Sequence, residues 1–316
     1  MKYLIVGGAG FIGSHLTLSL LNDPRTTAVR IYDNLSSGKL EFLGTGMQDA
    51  RLEFIKGEAS DLPSLTAQSA GIDTVFHFAS NPDIARAVRE PTIDFTEGTV
   101  LTQNVAEAAR VAGVARVLYA SGSGVYGEMG NQWYSEEPLN GRPVSTYGAS
   151  KLAGEAIFSA YAAMFGLNAY AFRFANVVGP NQTHGVGYDF LRRLKQNPTK
   201  LDILGNGTQT KSYIHVSDVV AALLLLKDLD PGGYQVFNVS TDDFLTVTEI
   251  AHLSLETLGL AEKDVDFCYT GGDRGWKGDV PLVKIRNEKI KDLGWKPRYG
   301  SREAMGKALA SMAPNS

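Results

Sequence analysis

Gly7-Gly8-Ala9-Gly10-Phe11-Ile12-Gly13 is the stretch whose reading decides the fold. Residues 3–6 before it are a short apolar run, and residues 11–21 after it repeat their apolar positions at helical spacing. A strand that enters a glycine turn and leaves it as a helix is how a parallel sheet offers backbone to a phosphate. Gly7 permits the tight turn, Gly10 lets a pyrophosphate approach the backbone, and Gly13 lets helix and strand pack closely. The N–H groups of the first helical turn, with Phe11 and Ile12 in it, are then expected to face the phosphates.

The next apolar run, 29–33, ends on Asp33. A carboxylate there accepts hydrogen bonds from the adenine-ribose hydroxyls and repels a 2′-phosphate, so NAD is expected rather than NADP. Asn34, Ser36, Ser37 and Gly38 follow and place small polar groups beside the ribose. Glu58 and Ala59 lie just past a third run at 52–55 and are expected to flank the adenine. Phe78, Ala79 and Ser80 close a fourth run at 73–78, where a parallel sheet meets its ligand.

Further strands are expected at 114–120 and 169–175, with helices at 100–112 and 147–165 between them. Strand and helix alternating at this pitch imply an α/β fold, a doubly wound parallel sheet of Rossmann type. Beyond residue 180 the pattern loosens. Helices at 188–195, 216–227 and 246–258 alternate with short strands at 201–204, 211–215 and 236–239. The expected organisation is a dinucleotide-binding domain over 1–175 and a smaller, mainly C-terminal α/β substrate lobe over 176–316, with some segments returning to the first sheet. The tail after Ala310 is expected to fray.

Tyr147-Gly-Ala-Ser-Lys151 lies at the start of one of these helices, and positions i and i+4 share a helix face. Free tyrosine titrates near ~10, so at neutral pH only about one phenol in a thousand is ionised. A fixed lysine charge and an oxidised nicotinamide ring nearby favour the phenolate and make it a usable base. Tyr147 and Lys151 are therefore the expected catalytic pair.

Bulk properties narrow the classes. The 316 residues carry a net charge of −4 and a pI near 5.8, so no basic field draws nucleic acid or an anionic membrane. Cys268 stands alone, which excludes an internal disulfide framework and a thiolate metal cluster. The five histidines show no ligand spacing, and no metal is expected. The longest apolar run, 219–226, is too short to span a bilayer. With the chain entering a strand at Tyr3 and no leader expected, a soluble protein of the cytoplasm is the reading.

Taken together, GGAGFIG, DNLSSG, SGSGVYGE, YGASK, RFANVVGP, GTQTKSYIHVSD and RGWKGDV make the chain resemble the extended short-chain dehydrogenase/reductase superfamily in its nucleotide-sugar branch, most closely the UDP-galactose (UDP-glucose) 4-epimerases. The resemblance runs nearly end to end. It implies inversion of C4 in a UDP-hexose through a transient 4-keto sugar, with NAD tightly held and regenerated each cycle. It implies Tyr147 as base and then acid, and Lys151 on the nicotinamide ribose. Ser121 and Phe174 would line the cofactor, and Asn176, Val186, Lys211, Arg274 and Asp279 would bind the nucleotide sugar. A homodimer built on the helices around 100–112 and 149–165 is also implied.

The chain departs from that pattern at one place. Where the family carries a Ser or Thr that relays the sugar proton, this sequence has Gly122, which has no hydroxyl. Ser123 is the expected substitute. The related 4,6-dehydratases carry adjacent Asp and Glu at the positions of Ser123 and Gly124, so neither of their carboxylates is present. A net reductase would favour a phosphorylated cofactor, which Asp33 opposes. A uronate epimerase or decarboxylase would need a cation for the sugar carboxylate, and none can be assigned. A binding protein that had lost its chemistry would be expected to lose the Tyr147/Lys151 pair.

Overall fold

The apolar run ahead of the glycine loop is a strand, Lys2–Val6, and its last four residues are fully buried because it has a partner strand on each side. The structure, a computed structural model, describes residues 1–137, 141–229 and 231–313. In chain order the elements begin with β1 Lys2–Val6, α1 Phe11–Leu21, β2 Ala28–Asp33, β3 Leu52–Lys56, α2 Leu62–Ser69, β4 Thr74–His77, α3 Val100–Ala112 and β5 Arg116–Gly122. Then come β6 Trp133–Tyr134, α4 Thr146–Phe165, β7 Asn168–Phe174, β8 Asn176–Val178, α5 Val186–Gln196, β9 Lys200–Ile203, β10 Thr210–Lys211 and β11 Tyr213–His215. The rest are α6 Val216–Asp228, β12 Tyr234–Val239, β13 Leu245–Thr246, α7 Val247–Leu258, β14 Asp266–Tyr269, β15 Leu282–Ile285, α8 Glu288–Asp292 and α9 Ser301–Met312.

These elements form two compact units. The first comprises Met1–Val125, Thr146–Arg173 and Val220–Phe237, and the second Tyr126–Ser145, Phe174–Val219 and Asn238–Ser316. The first is built on a seven-stranded sheet of order β12-β7-β5-β4-β1-β2-β3. β1 pairs in parallel with both β2 and β4, so the strand order reverses there, and a doubly wound sheet takes its ligand at such a reversal. Val6 lies opposite Tyr32 on one side and His77 on the other, which brings Gly7, Asp33 and Phe78 out at the same edge. Leu4, Val6, Val75, Val117 and Ala169 of the sheet pack with Leu65, Val105 and Phe158 of the helices. Each such Leu, Val or Phe side chain contributes about 1.5–3 kcal/mol by leaving water.

The second unit has its own core, in which Phe190, Leu191 and Leu194 of α5 meet Ile250 and Ala251 of α7 and Ala304, Met305 and Ala308 of α9. α7 starts on a reciprocal cap: Thr246 Oγ1 accepts from the Glu249 N–H, and Glu249 Oε2 accepts from the Thr246 N–H. Two expectations change here. The run 211–215 is not one strand. It breaks at Ser212, whose carbonyl accepts from Asn176 N and whose hydroxyl donates to Asp243 O, so β10 joins a four-stranded sheet while β11 pairs with β8. The tail does not fray at Ala310 either. α9 continues to Met312 because Leu309 and Met312 are buried in the core; residues 314–316 lie outside the described residues.

Candidate active site

The glycine loop is shaped by contact. Gly7 has φ +85°, and a Cβ built on it would stand 2.7 Å from Ala79 N; one on Gly13 would stand 2.3 Å from Gly7 O. Gly10, by contrast, has only the Gly7 carbonyl within reach, 3.3 Å away, so its backbone stays open to an approaching group. Gly10 precedes α1, and no side chain caps that helix start, which leaves first-turn N–H groups for an external acceptor. Asp33, 8% exposed, accepts from Ala9 N at 2.9 Å and from Leu35 N at 2.8 Å. A carboxylate has room for about four donors, so two lone-pair sites are left for ribose hydroxyls. Burial raises the pKa of Asp33, against the two N–H donors that lower it. The cradle thus fits a dinucleotide: small residues where the backbone must be approached, an uncapped helix start, and an acid with spare acceptors.

Around it, Gly38 packs against Ala9, and Ser36 and Ser37 are exposed. Glu58 is exposed and accepts from Asn34 Nδ2 at 3.0 Å, while Ala59 is buried under Asn104, which donates to its carbonyl. The N–H groups of Phe78 and Ala79 are both spent on Val6 O, and Ser80 follows half-buried.

Tyr147 is the second residue of α4, and Lys151 lies one turn on. Lys151 is 3% exposed, and its Nζ donates to Ala120 O at 2.8 Å while lying 5.3 Å and 5.5 Å from the Tyr119 and Tyr147 ring centres. Burial pushes Lys151 down to about 8, with Asp94 opposing it. Tyr147, a half-buried residue, is pushed up to about 12 by the protein packed round its phenol and, less, by Asp94. The Lys151 ammonium is anchored on a backbone carbonyl, and in the protein without a ligand burial keeps the Tyr147 phenol protonated.

Ser123 opens the short turn after β5, half-buried, and neither its hydroxyl nor that of Tyr147 has a hydrogen-bond partner among the described residues. A Cβ on Gly122 would meet nothing within 4 Å. Ser121 differs: its buried hydroxyl donates to Glu155 Oε1 at 2.6 Å, and Glu155 is held in turn by a bidentate bond from Arg173 at 2.9 and 2.7 Å. Its side chain is committed to the core, so only its backbone remains for a cofactor.

In the second unit, Phe174 is buried where β7 ends, Asn176 opens β8 half-buried, and Val186 opens α5 after Gly185, whose φ is +101°. Lys211, Arg274 and Asp279 come together. Lys211 Nζ meets Asp279 Oδ1 at 2.5 Å, Arg274 Nη1 donates to Asp279 O at 2.7 Å, and Gly275 N donates to Asp279 Oδ2 at 3.0 Å. Arg274 also clasps both oxygens of Glu128 at 3.0 and 2.8 Å. Sequence reasoning names neither Glu128 as that partner nor Asp94, Glu155 and His77 around Tyr147 and Lys151. Glu128 sits in the SGSGVYGE motif, but nothing local announces the contact. Among the described residues no group of three His, Cys, Asp or Glu side chains could hold a metal ion, and no helix is long and apolar enough to cross a membrane.

The UDP-glucose 4-epimerase of Mycolicibacterium smegmatis is 34% identical over 98% of this chain and 97% of its own. A crystal structure of a UDP-galactose 4-epimerase superposes with a TM-score of 0.87 at 37% identity, covering 99% of each chain. A dTDP-glucose 4,6-dehydratase from Streptomyces venezuelae, solved with NAD bound, superposes with a TM-score of 0.91 at 26% identity, covering 100% of this chain and 98% of its own. The sequence model of the NAD dependent epimerase/dehydratase family matches residues 3–240, and the chain belongs to that family.

Proposed function

We propose that the protein is a nucleotide-sugar 4-epimerase that inverts C4 of a UDP-hexose of the glucose/galactose type, with Tyr147 as acid and base. The observation that carries this reading is the pair of uncommitted hydroxyls, Tyr147 and Ser123, in a site where Lys151 is the fixed cation. Tyr147 takes the proton of the sugar 4-hydroxyl and later returns it, and Ser123 relays it. Lys151 orients the site and adds positive charge. Bound NAD supplies reversible hydride acceptance at C4, giving a 4-keto sugar that is reduced again on its other face. Gly7, Gly10, Gly13 and Asp33 would hold that cofactor, which need not leave between turnovers because it would be regenerated each cycle. Lys211 and Arg274 serve the diphosphate and Asp279 the ribose, after their present partners Asp279 and Glu128 give way.

The dehydratase reading is the one to separate, since dehydratases are also similar to this chain. Elimination needs a second acid and base, and Ser123 and Gly124 supply neither. Incubation with UDP-galactose, UDP-glucose and their N-acetyl forms, read by nucleotide-sugar chromatography, decides the matter. A C4 epimer is expected. No epimer from any of them with NAD bound, or a 4-keto-6-deoxy product, would reject the proposal.

A further inference from the structure

Asp94 is a carboxylate 1% exposed, one residue before the π-helical turn Phe95–Thr99 that leads into α3. Its Oδ1 accepts from Asn81 Nδ2 at 2.9 Å and its Oδ2 accepts from Thr146 Oγ1 at 2.6 Å. Both bonds are of the charge-assisted kind, which are shorter and stronger than neutral ones. Asn81 is itself fixed: its Nδ2 also donates to Asp83 O at 2.9 Å, and its Oδ1 accepts from Asp83 N at 3.0 Å. Thr146 is the first residue of α4 and Tyr147 the second. A rigid chain of contacts therefore runs from Asn81 through Asp94 to the residue beside the reactive phenol.

No cation pairs with Asp94 among the described residues, yet it is buried. A buried charge without a counter-ion is costly, and an apolar residue would serve packing better. The gain lies in what surrounds it. Lys151 is on α4, Tyr119 on β5 lies under the Lys151 ammonium, and His77 on β4 is stacked on Tyr119 with ring centres 5.5 Å apart. Glu155 and Arg173, further along α4 and on β7, neutralise each other. Asp94 is the charged group whose field reaches both members of the pair, and it raises the proton affinity of each. A negative charge beside the start of α4 also favours that helix end.

We propose that Asp94 is a positioning residue of the Tyr147–Lys151 pair, anchored by Asn81 and Thr146 so that its charge holds the resting pair protonated while its bond to Thr146 fixes the turn that carries Tyr147. Burial brings Lys151 down to about 8 even with Asp94 opposing it, so without that charge its proton would be held less tightly still. The same charge opposes release of the Tyr147 proton until positive charge is added beside it.

The proposal rests on Tyr147 as acid and base, but its test needs no turnover. Lysine labelled at 13Cε reports the Lys151 titration by NMR in the full-length protein, with the signal assigned by its loss in Lys151→Arg. Asp94→Asn should lower the Lys151 midpoint by roughly threefold or more in proton affinity and bring the phenol of Tyr147 into titration at lower pH. A midpoint unchanged from wild type, in protein with an unchanged circular dichroism spectrum, overturns the proposal. Should Asp94→Asn not fold, Thr146→Val is read instead. It keeps the carboxylate but cuts its anchor, so the midpoint moves the same way by less, and an unmoved midpoint overturns the proposal equally. Failure of the product assay would leave these titrations as they are, so the two readings stand or fall separately.

Discussion

Lys151 Nζ and the Ala120 carbonyl, 2.8 Å apart, join α4 to the end of β5. The bond fixes where the ammonium sits, three residues before Ser123 on the same stretch of chain. It also means the charge is anchored to backbone and not to the Tyr147 hydroxyl. In the protein alone Tyr147 is therefore a protonated phenol with its pKa up at about 12, and base strength must come from positive charge that arrives with a ligand.

Lys151 should make stability depend on alkaline pH in a definite direction. Its folded value, about 8, lies below the ordinary 10.5, so between those values the unfolded chain binds more protons and stability rises with pH. The charged lysine is a cost below pH 8 that fades as pH approaches 10.5. Lys151→Met should exceed wild type in stability by about 3 kcal/mol more at pH 7 than at pH 10.5. Urea unfolding of both proteins at the two pH values measures this, and a pH-independent difference would contradict it.

His77 works at the acid end. It is 1% exposed, its Nε2 pairs with Thr102 Oγ1 at 3.0 Å, and burial with the Lys151 charge pushes its pKa down to about 3. The stability it confers is whole above pH 6.5 and is lost as pH falls towards 3, because only the unfolded chain takes up the proton. Acidification from pH 6.5 to 4 should cost about 3 kcal/mol through this residue. His77→Gln should lose that much less over the same interval; equal acid sensitivity in both proteins would remove His77 as a cause.

Glu155 and Arg173 form a buried bidentate pair beneath Ser121. Replacing Glu155 removes the bidentate acceptor of a buried guanidinium and the acceptor of the Ser121 hydroxyl. Glu155→Ala is expected to destabilise by about 3–5 kcal/mol, measured by urea unfolding, and the Glu155→Ala/Arg173→Met double variant by clearly less. Additive losses would show that the pair does not act as a unit.

Helices α3 and α4 leave Val111, Met164 and Phe165 exposed. If two copies pair on these helices, Met164→Glu should convert a dimer into a monomer by light scattering. Unaltered protein running at monomer mass would end that reading.

How much of this was legible in the sequence follows from the range over which each feature is decided. The glycine loop, Asp33 and the Tyr147/Lys151 spacing are set within one turn or one strand, and the structure brings Gly7, Asp33 and Phe78 to one sheet edge as the pattern implies. The break at Ser212 depends on Asn176 and Asp243, each roughly thirty residues away or more, so nothing local in Lys211-Ser-Tyr-Ile-His215 marks it. Asp94 meets Thr146 across 52 positions and Arg274 meets Glu128 across 146, distances at which pattern carries no information. The helix Ser301–Met312 is rich in helix formers, and what the sequence does not show locally is which core Ala304, Met305, Ala308, Leu309 and Met312 enter.

Gly122 and Ser123 give the sharpest test of the chemistry. A side chain at Gly122 would meet nothing within 4 Å, so the hydroxyl absent there can be added without strain. Ser123, whose hydroxyl has no partner among the described residues, relays the proton under the proposed mechanism. Ser123→Ala should lower kcat by roughly one to two orders of magnitude, the low end of what a positioned proton-transfer group supplies, with KM little changed. Adding Gly122→Ser to that variant should recover most of the loss if the relay hydroxyl belongs at 122, where a Cβ meets nothing within 4 Å. Steady-state epimerisation of UDP-galactose compares the three proteins. Full turnover in Ser123→Ala would remove Ser123 from the relay, and a loss that Gly122→Ser fails to mend would place the role of Ser123 in its backbone rather than its hydroxyl.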